Sequence, residues 1–271
     1  MKCIFCRIPT TGNEPLEHIL PESLGNKKLV LRRGIVCGKC NNYFAVKVEK
    51  PFLETPSLRS LRFQQCIANK KGRIPTQPGL LLPNVAPIDL KHDLNRDELS
   101  ATVDSITFES LLTHTSGKIV IPRETVIEAD SITSRFLAKV AVEAMVHRIE
   151  HNDTWLEEWG DEIAFDPIRK YARYGSPRKW PIAVRRIYAE SSHWFDSDQE
   201  DSQIIHESDF LYTEHKEMYF VLAIFGQELS INMAGPEIEG WENWLEDNDH
   251  VSPLHHGKNA GKQFMHGTND Q

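Results

Sequence analysis

The chain has 271 residues, of which 40% are apolar and 26% charged, enough to bury a sizeable core in one large domain or two smaller ones. No apolar run approaches the roughly 20 residues that cross a bilayer, and no signal-peptide core follows Met1, so we expect a cytoplasmic protein without a membrane anchor. The net charge of −8 argues against a nucleic-acid partner only if the charge is spread evenly.

Two C-x-x-C pairs open the chain, Cys3 with Cys6 and Cys37 with Cys40. Four thiolates in this pattern predict a closed tetrahedral Zn²⁺ site, which is structural because no coordination position stays open for catalysis. A redox dithiol is the weaker alternative, since such motifs come singly on a βαβ pattern that this sequence does not show. The paired cysteines therefore predict that the residues between them form a compact segment whose two ends are held together by zinc.

The sequence around the cysteine pairs predicts a β-β-α unit. Residues 16–20 form a first strand that Pro21 stops, residues 29–36 form a second, and residues 40–50 form a helix. Because zinc would hold the helix start against the first cysteine pair, we expect the end of the first strand to lie near the first turn of the helix.

Three polar residues meet at that point in the predicted unit: Glu17, His18 and Asn41. Glu17 and Asn41 offer the hard oxygen ligands that Mg²⁺ or Mn²⁺ prefers. His18 beside them is suited to accept a proton from a water that attacks a phosphorus atom. The non-catalytic alternatives are that Glu17 and His18 lie at the exposed end of a strand and that Asn41 and Asn42 cap the helix.

The order C-x-x-C, then E-H-I-L-P-E-S-L-G, then C-x-x-C-N-N resembles the zinc-stabilised HNH endonucleases, whose fold is the ββα-metal motif. The resemblance covers about residues 3–50. It implies that His18 is the general base and that Glu17 and Asn41 hold a catalytic Mg²⁺ or Mn²⁺, with Asn42 as the ligand if the helix phase differs. It also implies a nucleic-acid substrate.

One position departs from the family pattern. Many HNH endonucleases have an asparagine shortly before the second cysteine pair that orients the base, whereas this chain has L-R-R-G-I-V there. Asn26 in the preceding loop or a backbone carbonyl would take that role. HNH domains joined to an unrelated domain often occur in bacterial restriction and anti-phage systems, so the resemblance offers such a role as a hypothesis.

The charge is divided unevenly along the chain. Residues 1–75 hold 14 Lys and Arg against 5 Asp and Glu, or +9, which leaves 31 − 14 = 17 against 39 − 5 = 34, or −17, for the rest. A basic block around a metal motif is the kind of local field that attracts a phosphate backbone, with chance clustering as the alternative. The predicted nucleic-acid contacts are Lys27, Lys28, Arg32, Arg33, Lys39 and Lys47.

The remaining sequence predicts an acidic α+β region with no recognisable catalytic motif, and its role is left open between binding a protein partner, sensing and dimerising. The predicted elements are short strands at 105–112 and 117–122, a helix at 131–149, a strand at 180–188 and a hairpin at 218–235 that turns near Gly226. The predicted domains are a basic HNH module at 1–71, a Pro-rich linker at 72–104, an acidic α+β domain at 105–250 and a flexible tail at 251–271.

Two functional hypotheses follow from the sequence. The first is a metal-dependent endonuclease that cuts DNA in preference to RNA, and the second is a catalytically silent zinc module that binds nucleic acid or protein. They differ at Glu17, His18 and Asn41, which a binding module does not need.

Overall fold

The computed structural model describes residues 1–83, 85–94, 96, 98–113, 116–123, 126–176, 178–195 and 201–263. Helices and strands are mixed along the chain, as the predicted α+β class requires. The chain divides into two compact units. The first unit comprises Met1–Leu20, Lys27–Pro51 and Ile127–Gln271, and the second comprises Pro21–Asn26 and Phe52–Val126.

The elements are numbered in chain order. The helices are α1 (Gly38–Phe44), α2 (Lys50–Leu53), α3 (Pro56–Gln64), α4 (Ser105–Leu111), α5 (Ser131–Ile149), α6 (Asp153–Asp161), α7 (Asp166–Tyr174), α8 (Glu239–Asp247) and α9 (His255–Gln263). The strands are β1 (Glu17–His18), β2 (Val30–Leu31), β3 (Gln77–Leu82), β4 (Ala86–Asp93), β5 (Glu98–Thr102), β6 (Lys118–Val120), β7 (Ala183–Arg186), β8 (His193–Phe195), β9 (Asp201–Gln203), β10 (His206–Tyr212), β11 (Met218–Ile224) and β12 (Gln227–Asn232).

Helix α5 is the centre of the first unit, and its bounds confirm the predicted helix at 131–149. It begins because the side chain of Asp130 accepts a hydrogen bond from the Thr133 amide at 2.8 Å, as an N-cap does. Twelve of its 19 residues are buried, so it is covered on nearly all sides. It contacts β2, α6, α7 and β12, and through β2 it reaches the β-β-α region.

A sheet with the order β10-β11-β12-β7 forms the other part of the first unit's core, and all its neighbouring strands are antiparallel. The predicted hairpin is confirmed, because β11 and β12 pair and Gly226 stands between them with a φ of +75°. That φ favours glycine, and a Cβ at this position would also collide with the carbonyl of Tyr188. Strand β7 confirms the strand predicted at 180–188.

The second unit contains a sheet with the order β5-β4-β3-β6, all antiparallel. Its core cluster consists of Phe63, Leu81, Ala86, Ile88 and Leu90. Strands β3, β4 and β5 lie inside residues 72–104, where the sequence led us to expect an extended linker. Burial alternates along β4, where every second side chain packs inward. The Pro-rich segment is therefore part of a folded sheet.

Two other sequence expectations differ from the structure. The β-like run at residues 105–112 predicts a strand, but helix α4 forms there. The Asp104 carboxylate accepts a hydrogen bond from the Thr107 amide at 2.9 Å and caps this helix. Residues 118–120 do form strand β6, as expected for 117–122. The tail at 251–271 contains helix α9, and residues 264–271 lie outside the described part of the chain.

None of the helices in the described residues is both long and apolar enough to span a bilayer.

Candidate metal and nuclease site

The four cysteines of the two C-x-x-C pairs come together in the first unit as one cluster, here called the cysteine cluster: Cys3, Cys6, Cys37 and Cys40. Their Sγ atoms all lie within 4.8 Å of one another, and the Sγ atoms of Cys6 and Cys37 are 3.6 Å apart. Four sulfurs at about 2.3 Å from a tetrahedral Zn²⁺ would be roughly 3.8 Å apart, so the cluster fits this ion. It fits a closed structural site, because three of the four cysteines are buried.

Hydrogen bonds favour the thiolate at Cys3. The side chain of Cys40 and the amides of nearby residues lower the pKa of Cys3 to about 5, and the Cys37 amide donates to the Cys3 Sγ at 3.4 Å. Burial raises the pKa of Cys6 to about 11. Zinc binds cysteine as the thiolate, so metal binding at this cluster would be accompanied by proton release.

An arginine from α7 lies beside the cysteine cluster. The guanidinium of Arg173 is within hydrogen-bond reach of Cys40 and lies 3.6 Å from the centre of the Tyr43 ring. Arg135 of α5 donates to the Tyr43 hydroxyl at 2.9 Å. The cluster and α1 are thus packed against helices α5 and α7, far along the chain.

The predicted β-β-α unit is present, with shorter strands than expected. Strand β1 pairs with β2 so that Glu17 faces Leu31 and His18 faces Val30. Helix α1 begins after Cys37, which occupies the N-cap position, and continues as a π-helical turn at Ala45–Glu49. The cysteine cluster, the pairing of β1 with β2 and the position of α1 confirm the expected β-β-α arrangement.

Asn41 connects the helix to the strand. Its Nδ2 donates to the carbonyl of Leu16 at 3.2 Å, which places the first turn of α1 beside the start of β1, as predicted. The amide oxygen, at the other end of the same group, is a hard acceptor of the kind that a divalent cation binds. Asn41 and the exposed Asn42 lie inside α1, so the interpretation that they cap the helix is wrong.

Glu17 and His18 differ in their surroundings. His18 is half-buried, whereas Glu17 is only 5% exposed. The Oε1 atom of Glu17 lies 2.8 Å from Nζ of Lys139, a residue of α5 that is itself fully buried. Asn26, one of the two groups expected to orient His18, is buried and belongs to the second unit, so that role stays a prediction.

Lys139 is surrounded by three carboxylates, and we call these four residues the lysine cluster: Lys139, Glu17, Glu49 and Glu143. Nζ lies 2.7 Å from Oε1 of Glu49 and 2.8 Å from Oε2 of Glu143. It also donates to the carbonyls of His18 at 2.8 Å and Ile19 at 3.3 Å. Five oxygens therefore surround one buried ammonium.

The pKa directions follow from burial and charge. Burial alone lowers the pKa of Lys139, but the three carboxylates outweigh it and hold the pKa well above its ordinary value. Burial raises the pKa of Glu17 and raises that of Glu143 well above its ordinary value. The ammonium form of Lys139 is therefore favoured, because the carboxylates around it outweigh the cost of its burial.

Glu49 reaches the lysine cluster from the π-helical turn. Pro51 follows two residues later, and proline has no amide hydrogen and clashes with the carbonyl four residues before it in a regular α-helix. The wider turn at Ala45–Glu49 is consistent with that constraint, and such turns are frequent at functional sites.

The six basic residues predicted to contact nucleic acid are all exposed in the first unit: Lys27, Lys28, Arg32, Arg33, Lys39 and Lys47. Arg32 and Arg33 are among those that also make contacts within the protein. Arg32 pairs with Asp153 of α6 at 2.7 Å, and Arg33 donates to the carbonyl of Glu14 at 2.8 Å. The charge of Arg32 is therefore partly offset by an acidic residue from the other half of the chain.

Sequence reasoning missed Lys139, Glu143 and Glu49. Lys139 and Glu143 fall in the predicted helix at 131–149, and their spacing places both on the same side as Phe136. Two opposite charges at i and i+4 within an apolar helix face were the available signal. The sequence contained no such signal for Glu49, because nothing local connects it to residue 139.

Residues 3–57 match the model of a family described as HNH endonuclease, about a fifth of the chain. No curated protein matches the chain, and no solved structure does. The match spans the cysteine cluster, β1, β2 and α1. The predicted resemblance is confirmed: the chain carries an N-terminal HNH endonuclease domain with a four-cysteine cluster, followed by a larger region.

Proposed function

We propose that this protein is a metal-dependent HNH endonuclease that hydrolyses phosphodiester bonds of nucleic acid, with DNA as the preferred substrate. The observation that carries the proposal is the match of residues 3–57 to the HNH endonuclease family. The contact between Asn41 and Leu16 supports it further, because it brings the helix that bears the asparagines to the strand that bears Glu17 and His18.

His18 accepts the proton of the attacking water in this proposal. Imidazole suits the task because its ring nitrogens can accept and release a proton. The short pairing of β1 with β2 and the hydrogen bond from Lys139 to the His18 carbonyl fix the backbone from which the ring projects. His18 itself is half-buried.

Glu17 and Asn41 would hold Mg²⁺ or Mn²⁺, with Asn42 as the substitute for Asn41. When bound, this ion would stabilise the negative charge that develops on the phosphate and the leaving oxygen. The donor set fits such an ion, because a carboxylate has two oxygens with about four acceptor positions and Lys139 contacts one oxygen of Glu17. The Asn41 amide donates to Leu16 through nitrogen, which leaves its oxygen for the metal.

The exposed basic residues of the first unit would position the phosphate backbone. Phosphate contacts of this kind set affinity and carry no sequence information by themselves. The larger region after the HNH domain would bind a protein partner or a second copy, and the whole chain would act in the bacterial cytoplasm in restriction or anti-phage defence. These roles rest on the sequence resemblance and on the division of charge.

Incubation of the purified full-length protein with supercoiled plasmid and with single-stranded RNA tests the proposal, each in Mg²⁺, in Mn²⁺ and in EDTA. We expect nicked or linear plasmid in the divalent metals, slower cleavage of RNA, and intact substrate in EDTA. A protein that binds both substrates and cuts neither would contradict the nuclease assignment.

A zinc module that binds without cutting is the second candidate, because Glu17 is buried and paired with Lys139. In a catalytically silent domain, the Glu17 carboxylate would stay paired with the Lys139 ammonium and would stabilise the fold. The same assay separates the two candidates, since a silent module would keep its zinc and its affinity for nucleic acid while leaving the plasmid supercoiled.

A further inference from the structure

Lys139 contacts the proposed nuclease site in two ways. Its ammonium lies 2.8 Å from the Glu17 carboxylate and donates to the carbonyl of His18, also at 2.8 Å. One side chain of α5 thus holds both a side chain and a backbone group of the two residues that form β1. The family match ends at residue 57, so Lys139 lies outside the matched segment and reaches β1 only in the folded chain.

Strand β1 needs such an anchor. It has two residues, and its pairing with β2 extends over two residue pairs, so the ladder alone gives it little rigidity. Lys139 adds hydrogen bonds to the carbonyls of His18 and Ile19 from the opposite element. The position of the Glu17-His18 pair is therefore set by α5 as well as by β2.

The burial of Lys139 is costly unless its charge is matched. Removing an ammonium from water is energetically unfavourable, and only close carboxylates and carbonyls offset that cost. Lys139 is 0% exposed, and all three carboxylates approach it within 2.8 Å. If Lys139 served only to neutralise Glu143, the contact between these two residues of α5 would suffice. The additional contacts of Lys139 reach β1 and the π-helical turn.

We infer that Lys139 is a positioning residue of the nuclease site, which holds the Glu17 carboxylate and the His18 backbone in the geometry that metal binding and proton transfer require. The inference rests on the proposed function and deepens it, because it extends the site from the HNH domain into the central helix of the first unit. Helix α5 is then a part of the site and the means by which the rest of the chain can influence it.

The test compares Lys139→Met with Arg148→Met in the full-length protein. Arg148 lies on the same helix and loses one exposed ion pair, to Asp209 at 2.6 Å, so it controls for the loss of a charged side chain from α5. Lys139→Met/Glu143→Leu is a second variant, which also removes the carboxyl group left beside the substituted position. For each protein we would measure zinc per chain, thermal unfolding, and plasmid cleavage rate over a range of Mn²⁺ concentrations.

We expect the Lys139 variants to retain zinc and cooperative unfolding, to cleave about 10- to 100-fold more slowly, and to need more Mn²⁺ for half-maximal rate, as supporting residues of metal ligands typically do. Arg148→Met should cleave like the wild type. Wild-type cleavage and Mn²⁺ dependence in either Lys139 variant would overturn the inference and leave the nuclease assignment intact.

Loss of cleavage in step with loss of zinc or of cooperative unfolding, in both Lys139 variants, would assign the residue to stability alone and would also overturn the inference. A wild-type protein that cuts neither plasmid nor RNA would instead remove the proposed function, and this inference with it.

Discussion

The cysteine cluster and the lysine cluster both hold the N-terminal region in place, but they are built differently. The cysteine cluster uses two local C-x-x-C pairs and soft sulfur ligands, and it fits a metal ion. The lysine cluster uses oxygens from β1, the π-helical turn and α5, and its central cation is a side chain of the protein.

The difference shows what sequence spacing can and cannot reveal. A metal site with ligands three residues apart is visible in the sequence because the spacing itself encodes the geometry. A cluster whose members are Glu17, Glu49, Lys139 and Glu143 forms only when distant elements pack together. The ligands of the first cluster all lie within residues 3–40, whereas the second requires β1, the π-helical turn and α5 to pack together.

Breaking the cysteine cluster should have the largest effect. Cys37→Ser removes one of four zinc ligands, and because zinc-site formation and folding are coupled, zinc content should fall from one per chain to near zero and cleavage should be lost. Elemental analysis and circular dichroism measure the change. Cys66→Ser is the matched control, since Cys66 is exposed and lies in the second unit; equal zinc in both variants would contradict the cluster's role.

Changing Glu17 tests the point where the lysine cluster meets the proposed site. Glu17→Gln keeps the buried shape but removes a charged metal ligand, so cleavage should fall at least about ten-fold at low Mn²⁺ and partly return at high Mn²⁺. Plasmid cleavage over a Mn²⁺ titration gives the answer. Glu22→Gln, the same change in the second unit beside Lys70, should behave like the wild type. An unchanged titration for Glu17→Gln would exclude it as a ligand.

Reversing surface charge near β2 should have a smaller, sequence-independent effect. Arg32→Glu/Arg33→Glu should weaken binding equally on unrelated duplexes and flatten the salt dependence, whose log-log slope is about −0.9 per phosphate contact. Fluorescence anisotropy between low and moderate salt measures both quantities.

Arg96→Glu/Lys118→Glu, an equal charge change at exposed residues of the second unit, should affect binding less. If both pairs weaken binding alike, the basic block of the first unit is not the nucleic-acid surface.

An exposed ion pair should matter least, in contrast to the buried Lys139. Lys2 pairs with Asp161 of α6 at 3.0 Å, and both side chains are largely exposed to water. Such pairs contribute little because water screens the charges and the side chains lose entropy on pairing. Lys2→Ala should therefore leave the thermal unfolding midpoint unchanged within error; a clear drop in scanning calorimetry would show that this contact stabilises the N-terminal region.

Elements with strong periodicity could be predicted from the sequence. Helix α5 has the predicted bounds and the β11-β12 hairpin lies within the predicted range 218–235, because long apolar patterns and a glycine turn encode them locally. Helix α4 and the strands within residues 72–104 could not, since the β-like run at 105–112 forms a helix capped by Asp104 and the strands depend on tertiary packing.

The candidate site was predictable only in part. The motif placed Glu17, His18 and Asn41 in one region, and the contact between Asn41 and Leu16 agrees with that placement. The buried ion pair of Glu17 could not be foreseen, because its partner, Lys139, lies more than a hundred positions away in the chain.

The rate of plasmid cleavage by His18→Ala tests the central claim most directly, with His215→Ala as a matched control at an exposed position of the first unit. Loss of a general base should slow cleavage by a factor of about 100 or more, while zinc content and affinity for DNA stay near those of the wild type. His215→Ala should cut normally, and high Mn²⁺ should not rescue His18→Ala. Cleavage at the wild-type rate by His18→Ala would contradict the proposed catalytic roles and favour the silent zinc module.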